Sequence, residues 1–393
     1  MTDGLFIYII AGEPSGDFLG GRLMAALKER TGGTVRFAGI GGEDMAAQGL
    51  ASRVPLEELA VMGIAEVIPR ARAIFRRVRE TVADIVRAAP DAVVTIDSSG
   101  FTWRIAHGLR RRGSRVTLIH YVAPMVWAWR AGRARRMARW YDHLLALLPF
   151  EPPYFTKVGL ACSYVGHPVV ESGADRGDGA EFRRRHGIDP ATKLLVLLPG
   201  SRRGEVSRLM PIFARAVALL AKRYPGLTVV VPTTASVHAQ VSEEIARWGV
   251  KTIVLRGSGE KYDAFAAGDV ALAASGTVAL ELALARLPSV IAYRLNGLTH
   301  AVVRSIVRVD YVHLVNVVLG REAVPELIQT ECTPERLAAA AGHLLDDSSA
   351  RAAQIASCQE ALGQLGLGAV SPGLRAADEV LAIIAARAPQ RKE

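Results

Sequence analysis

The feature that most constrains this 393-residue chain is an alternation: short runs of consecutive apolar residues are separated by longer segments with apolar residues at helical spacing. A strand buried on both faces has no polar side and therefore reads as such a run, and parallel strands need helical crossovers between them. The alternation predicts parallel sheets covered by helices on both faces. In the first half the runs fall at 5–11 (LFIYIIA), 35–39, 92–96 (AVVTI), 115–121 and 144–148. In the second half they fall at 194–198 (LLVLL), 227–232, 252–255, 270–274 (VALAA) and 289–293. Between the two sets stand Pro149, Pro152, Pro153, Gly159, Gly166 and Pro168, turn formers that mark a hinge. The expected fold class is α/β, with two Rossmann-like doubly wound lobes and an interdomain cleft. Residues 1–165 form the first expected domain and 166–371 the second. A helix and tail over 372–393 are expected to pack back on the first domain or on a partner chain.

Composition narrows the function classes. Half of the residues are apolar and 22% charged, enough to bury two cores. The opening MTDGL lacks a basic region and FIYIIA is short for a signal peptide, so a leader is not expected. No stretch approaches the roughly 18 apolar residues that span a bilayer. Cys162, Cys332 and Cys358 are few, odd in number and far apart, which fits a reducing cytoplasm and gives no zinc spacing. The net charge of +10 is unevenly distributed, because residues 70–139 hold 16 arginines against four acidic side chains. Such a patch attracts polyanions or is a solvated face. No nucleic-acid-binding motif accompanies it, and nucleic acid is not an expected partner.

Five strand ends carry candidate chemistry. The first strand runs into AGEPSGD at 11–17, where Gly12 and Gly16 permit a tight turn into a helix from about Phe18 to Arg30. Asp97 ends the third run, where a carboxylate either faces the ligand crevice of a parallel sheet or sits near the start of the helix 101–112. The fourth run leads into HYVAPMVWAWRAGR at 120–133, in which Trp127, Trp129 and Arg130 offer an apolar wall beside a cation, or ordinary aromatic packing. In the second lobe LLPGSRRGEV places Gly200, Ser201 and Arg202 between a strand and a helix, which suits a diphosphate. ASGTVALE places Ser275, Gly276 and Thr277 at another helix start, with Glu281 one turn in and able to accept two ribose hydroxyls. Two phosphate-type turns in one lobe imply a nucleotide.

Taken in order, these strings resemble the lipid-A-disaccharide synthase family across nearly the whole chain. The matching pieces are AGEPSGD, LAVMGIAEV at 59–67, HYVAPMVWAWRAGR, LPFEPPYF at 148–155, VGHPVVE at 165–171, LLPGSR, ASGTVALE, and the stretch 310–329 with VHLVN and PELIQ. The resemblance implies an inverting glycosyltransferase of the glycosyltransferase-B fold, acting in lipid A and lipopolysaccharide synthesis of a Gram-negative cell. Its donor would be UDP-2,3-diacylglucosamine and its acceptor 2,3-diacylglucosamine 1-phosphate, joined through the 6-hydroxyl with release of UDP. It further implies that Asn316 and Gln329 join Gly200, Ser201, Arg202, Ser275, Gly276, Thr277 and Glu281 on the nucleotide side. Glu13, Asp17 and Asp97 would face the acceptor. One departure stands out: the family usually reads Asp-x-Pro-Asp-Phe where this chain has Asp97, Ser98, Ser99, Gly100 and Phe101.

The chemistry of the implied reaction needs an anion stabiliser and a base. Arg202 suits the first, Asp97 the second, with Glu13, Asp17 and then His120 behind it. No Asp-x-Asp element is present, so neither a metal nor another cofactor is expected. Acyl substrates place the enzyme at an anionic inner-membrane surface. Val67, Ile68, Ala71, Ile74, Phe75, Val78 and Val82 recur at helical spacing among arginines, as in an interfacial helix or in one that packs on the sheet. Expected partners also include a second copy of the chain, through C-terminal segments. Competing readings are another UDP-sugar glycosyltransferase or epimerase of the same fold, and a catalytically degenerate UDP-lipid-binding protein.

Overall fold

The computed structural model describes residues 4–58, 64–128, 132–294 and 310–387; the side chains of residues 57 and 64–71 lie outside that description. Two compact units result. One runs to Pro168 and takes up the chain again at Ala369, and the other spans Val169–Gly368.

The first unit holds a six-stranded, all-parallel sheet in the order β2-β1-β3-β4-β5-β6. Its strands are β1 (Phe6–Ala11), β2 (Arg36–Ile40), β3 (Ala92–Ile96), β4 (Thr117–Tyr121), β5 (His143–Ala146) and β6 (Ala161–Tyr164). The helices that matter here are α1 (Pro14–Arg30), α2 (Glu43–Ala47), α3 (Ile64–Ala88), α4 (Ser99–Arg111), α5 (Gly132–Met137) and α6 (Pro152–Thr156). Strand β1 shows why the runs are uniformly apolar. Ile7 and Ile9 pack with Leu23 and Leu27 of α1, while Tyr8 and Ile10 face Val82 and Ile85 of α3 and Ile105 of α4. Both faces are core, so no position along the strand can be polar without a partner. Tyr8 meets this condition by donating to Asp84 Oδ2 at 2.9 Å. The helix Pro372–Arg387 closes the same unit: Ala376, Ala377 and Val380 enter the cluster under α1, and Arg30 forks onto Asp378.

The second unit holds another six-stranded parallel sheet, ordered β12-β11-β10-β7-β8-β9. Its strands are β7 (Leu194–Leu198), β8 (Thr228–Thr233), β9 (Thr252–Arg256), β10 (Val270–Ala274), β11 (Ser289–Tyr293) and β12 (Glu326–Ile328). The helices used below are α7 (Gly179–Arg185), α8 (Arg203–Arg223), α9 (His238–Ile245), α10 (Lys261–Ala267) and α11 (Val278–Leu284). Both units are Rossmann-like doubly wound folds. In each, the winding direction reverses at one point in the sheet: between β1 and β3 in the first unit, between β7 and β10 in the second. Crossover connections leave a crevice at the carboxyl ends of such a strand pair, and ligands settle there.

Ten strands fall where the apolar runs predict them. The segment read as a hinge is more ordered than its prolines and glycines suggest, since it contains α6 and the edge strand β6. Among the described residues no helix is long and apolar enough to cross a membrane. Val67 and Ile68 lie on α3 with side chains outside the described set, as Trp129 and Arg130 do altogether. Further along α3, Val78, Val82 and Ile85 are buried and Ile74 is partly so, while Phe75 is 51% exposed. The C-terminal half of the stripe therefore packs on the sheet.

Candidate active site

In the second unit the two turns at the switch point face one cavity of about 600 Å³. Gly200, Ser201 and Arg202 follow β7, and Ser275, Gly276 and Thr277 follow β10; these six line the cavity, together with Glu281 from α11. Gly200 sits at φ +109°, and a Cβ there would lie 2.7 Å from Glu205 Oε2 and 2.9 Å from its Cβ, so only glycine fits the turn. Arg202 is the N-cap residue of α8 and places no side chain on the helix's first N–H groups. Its guanidinium is 66% exposed and pairs with Glu205 Oε1 at 3.0 Å. Glu281 is held from two sides: Lys261 Nζ lies 2.5 Å from Oε2, and the Tyr262 hydroxyl donates to Oε1 at 3.1 Å.

Lys261, Thr233, Thr234 and Ser258 also line the cavity. The sequence reading missed them because β8 ends without a glycine turn, so Thr233 and Thr234 carry no phosphate-type signal. The one local signal was Gly257-Ser258-Gly259 ahead of α10, which carries Lys261. A second cavity of about 340 Å³ shares Arg202, Glu205, Ala274 and Ser275 with the first and adds Arg208, Tyr293 and Arg294. The arrangement gathers hydroxyls, one ammonium and guanidinium groups around a hollow at the positive end of a long helix, which suits a diphosphate. Asn316 and Gln329 are not part of that lining. Asn316 is fully buried and satisfies its own neighbourhood: Nδ2 donates to Val324 O and Glu326 Oε1, and Oδ1 accepts from the N–H groups of Ala323 and Val324. Gln329 follows β12 at φ +54°, with an Nε2 that is shielded from solvent and has no hydrogen-bond partner among the described residues.

In the first unit the turns after β1 and β3 touch. Asp97 and Ser98 both adopt left-handed backbone, at φ +47° and +44°, where non-glycine residues are rare and strained. The bend is pinned by the Asp97 N–H donating to Tyr121 O at 3.0 Å and by Thr102 Oγ1 donating to Asp97 O at 2.7 Å. It presses Ser98 against Gly12, where a Cβ would lie 2.4 Å from Ser98 Oγ. Asp97 does not cap α4. Ser98 is its N-cap residue, and the Ser98 side chain makes no capping hydrogen bond. Burial pushes the Asp97 carboxyl above its ordinary range, against a smaller lowering by the Ser98 N–H. Glu13 is the half-buried N-cap residue of α1.

The neighbouring candidates have other tasks. Asp17 is 4% exposed and accepts from the N–H groups of Gly42 at 2.6 Å, Asp44 at 3.0 Å and Met45 at 3.1 Å. Three backbone donors on one carboxylate make it the cap of α2. His120 is buried beside Thr95 Oγ1, 2.8 Å from its Nδ1, and burial drives its pKa down to about 3, so it is a neutral core group. Trp127 donates through Nε1 to Glu151 Oε1 at 3.3 Å and packs edge-on against Phe150. Glu151, which the sequence reading passed over, is 2% exposed, and burial raises its pKa to about 7. Among the described residues no group of three or more His, Cys, Asp or Glu side chains is placed to hold a metal ion.

Comparison with known proteins finds relatives in both sequence and fold. The profile of the family described as Lipid-A-disaccharide synthetase matches residues 7–373. The lipid-A-disaccharide synthase of Rhodospirillum centenum is 57% identical over 383 residues, covering 98% of this chain and 96% of its own length. That of Paramagnetospirillum magneticum is 55% identical over 389 residues, with 98% and 100% covered. Among solved structures, a UDP-GlcNAc 2-epimerase from Neisseria meningitidis with UDP-GlcNAc bound matches with a TM-score of 0.63 at 10% identity, over 97% of this chain and 100% of that one. At that identity the likeness is one of fold.

Proposed function

The chain belongs to the lipid-A-disaccharide synthetase family, and from that premise we propose that it is a glycosyltransferase making the lipid A disaccharide from two acylated glucosamines. The donor is the UDP-linked diacylglucosamine, the acceptor a diacylglucosamine 1-phosphate. In the reaction the bond between the anomeric carbon and the diphosphate oxygen breaks, and its electron pair leaves with UDP. A bond from the acceptor 6-oxygen to the same carbon forms on the opposite face, so configuration inverts. The hydroxyl proton passes to a carboxylate.

The observation that carries this reading is the convergence of two separate turns, Gly200–Arg202 and Ser275–Thr277, with Glu281 on one cavity. We assign the diphosphate to Arg202, Ser201, Ser275, Thr277 and the start of α8, and the ribose hydroxyls to Glu281. Lys261 and Tyr262 fix the Glu281 carboxylate and leave lone pairs for those hydroxyls. Arg202 neutralises charge as it develops on the leaving group, and guanidinium and ammonium groups do so without a metal. The base is Asp97, whose burial raises its affinity for a proton, and Glu13 orients the acceptor beside it. Asp17 acts one step back by fixing the segment 42–45. Acyl chains are met at an anionic membrane surface, for which the exposed Phe75 and the arginines of α3 are suited.

The test is formation of the disaccharide from both lipid substrates in EDTA. Turnover should persist without divalent ions and fall about 30- to 1,000-fold in Arg202→Ala. A strict requirement for Mg²⁺, or full activity in Arg202→Ala, would overturn the assignment.

A further inference from the structure

The first unit contains a second hollow that none of the roles above uses. It measures about 650 Å³ and lies between α4 and α5. Arg104 and His107 enter it from one face of α4, three residues apart, and Arg133 and Arg136 enter at the same spacing from α5; Trp103 and Trp140 wall it. Among the described residues no carboxylate lines it. Like charges brought together in a concavity repel one another, and a bound anion relieves that repulsion. Trp103, whose side chain is 8% exposed, gives the hollow an aromatic wall, and the Arg133 guanidinium carbon lies 5.6 Å from its ring centroid.

Position says which anion. Ser99 and Gly100, which open α4, line the same cavity, and they stand two and three residues after Asp97 in the chain. Arg104 donates back to Gly100 O, so the cationic wall is tied to the Asp97 turn. With glycine at residue 100 no acidic side chain faces the guanidinium there, and a Cβ would start 3.8 Å from Arg104 Nη1. We infer that this cavity binds the phosphate monoester of the acceptor, so that its guanidinium groups position the sugar whose hydroxyl Asp97 deprotonates. The inference rests on the reading of the acceptor as a sugar phosphate.

Arg104 and Arg136 are exposed, so replacing them should leave the fold intact. In the full-length chain, Arg136→Ala should raise KM for the phosphorylated acceptor about 10-fold and the Arg104→Ala/Arg136→Ala pair about 100-fold, each lost charge-assisted bond being worth roughly tenfold. kcat and UDP affinity should stay within about twofold of wild type, and Arg136→Lys should restore most of the loss. Glucosamine 1-phosphate, but not glucosamine, should shift the indole proton resonance of Trp103. Unchanged acceptor KM in the double variant, or an unmoved Trp103 resonance, overturns the proposal. So does loss of binding to phosphatidylglycerol vesicles with acceptor KM intact, which would give the cavity to lipid headgroups. Absence of any disaccharide from the wild type would instead count against the proposed reaction, and the glucosamine 1-phosphate titration would still read the cavity.

Discussion

Asp97 is where the cost of the fold and the needs of the chemistry coincide. Left-handed backbone at two successive non-glycine residues costs on the order of 1–3 kcal/mol each, and it persists because Tyr121 and Thr102 pin the turn. Asp97→Asn keeps the shape and removes the base. It should lower kcat by about 100- to 10,000-fold while UDP affinity is unchanged, as measured by single-turnover kinetics and equilibrium binding. Because burial raises this carboxyl, wild-type activity should fall on acidification at a higher pH than an ordinary aspartate would dictate. An unchanged kcat in Asp97→Asn would move the base to Glu13. Asp17 shows how a residue misleads at this scale. Four places after Glu13 it looks like a second active carboxylate, yet its partners Gly42, Asp44 and Met45 lie more than 20 residues away and turn it into a helix cap. No local pattern announces that.

At the level of elements, the interior strands were legible because a parallel strand covered on both faces must be apolar throughout. The exceptions are edges. β6 is mostly half-buried and β12 spans three residues, so neither needs a continuous apolar run, and neither is among the strands that the apolar runs predict. The glycine turns were legible as well, since backbone at φ +109° against Glu205 leaves Gly200 no substitute. Lys261 and Tyr262 were not, because their link to Glu281 joins two elements that sequence spacing does not relate. The contact of the β1 and β3 turns makes a sharp element-scale prediction. Gly12→Ala should cost about 1–3 kcal/mol through its clash with Ser98. Ser98→Gly in the same chain should recover most of it, because it removes the clashing atoms and suits the positive φ. Thermal melts of the single and double variants read this directly, and a double variant no more stable than Gly12→Ala would refute the contact.

Across the whole molecule, buried titratable groups set the pH range of stability. Burial lowers His120 to about 3 and His167 and His313 to about 4, so the unfolded chain takes up protons near pH 6.5 that the native chain refuses. Stability from these three is complete above about pH 6.5 and drains away as pH falls toward 4. Glu151 acts in the opposite direction. Its native pKa of about 7 exceeds the unfolded value, so the folded chain holds the extra proton and stability declines as pH rises from about 4.5 to 7. Three groups outweigh one, and the melting temperature should drop below pH 6. Glu151→Gln should raise it more at pH 8 than at pH 5, because only the ionised form is penalised by burial. An equal gain at both values would mean that Glu151 is not the buried acid described.

The central claim is that the cavity between the β7 and β10 turns holds the uridine diphosphate of an activated sugar. Calorimetric titration of the purified chain with UDP in EDTA tests it most directly. The account predicts saturable binding at one site per chain, weakened at least about tenfold in Glu281→Ala and in Arg202→Ala and unaffected by Asp97→Asn. No measurable heat with wild type, or equal affinity in all three variants, would contradict it.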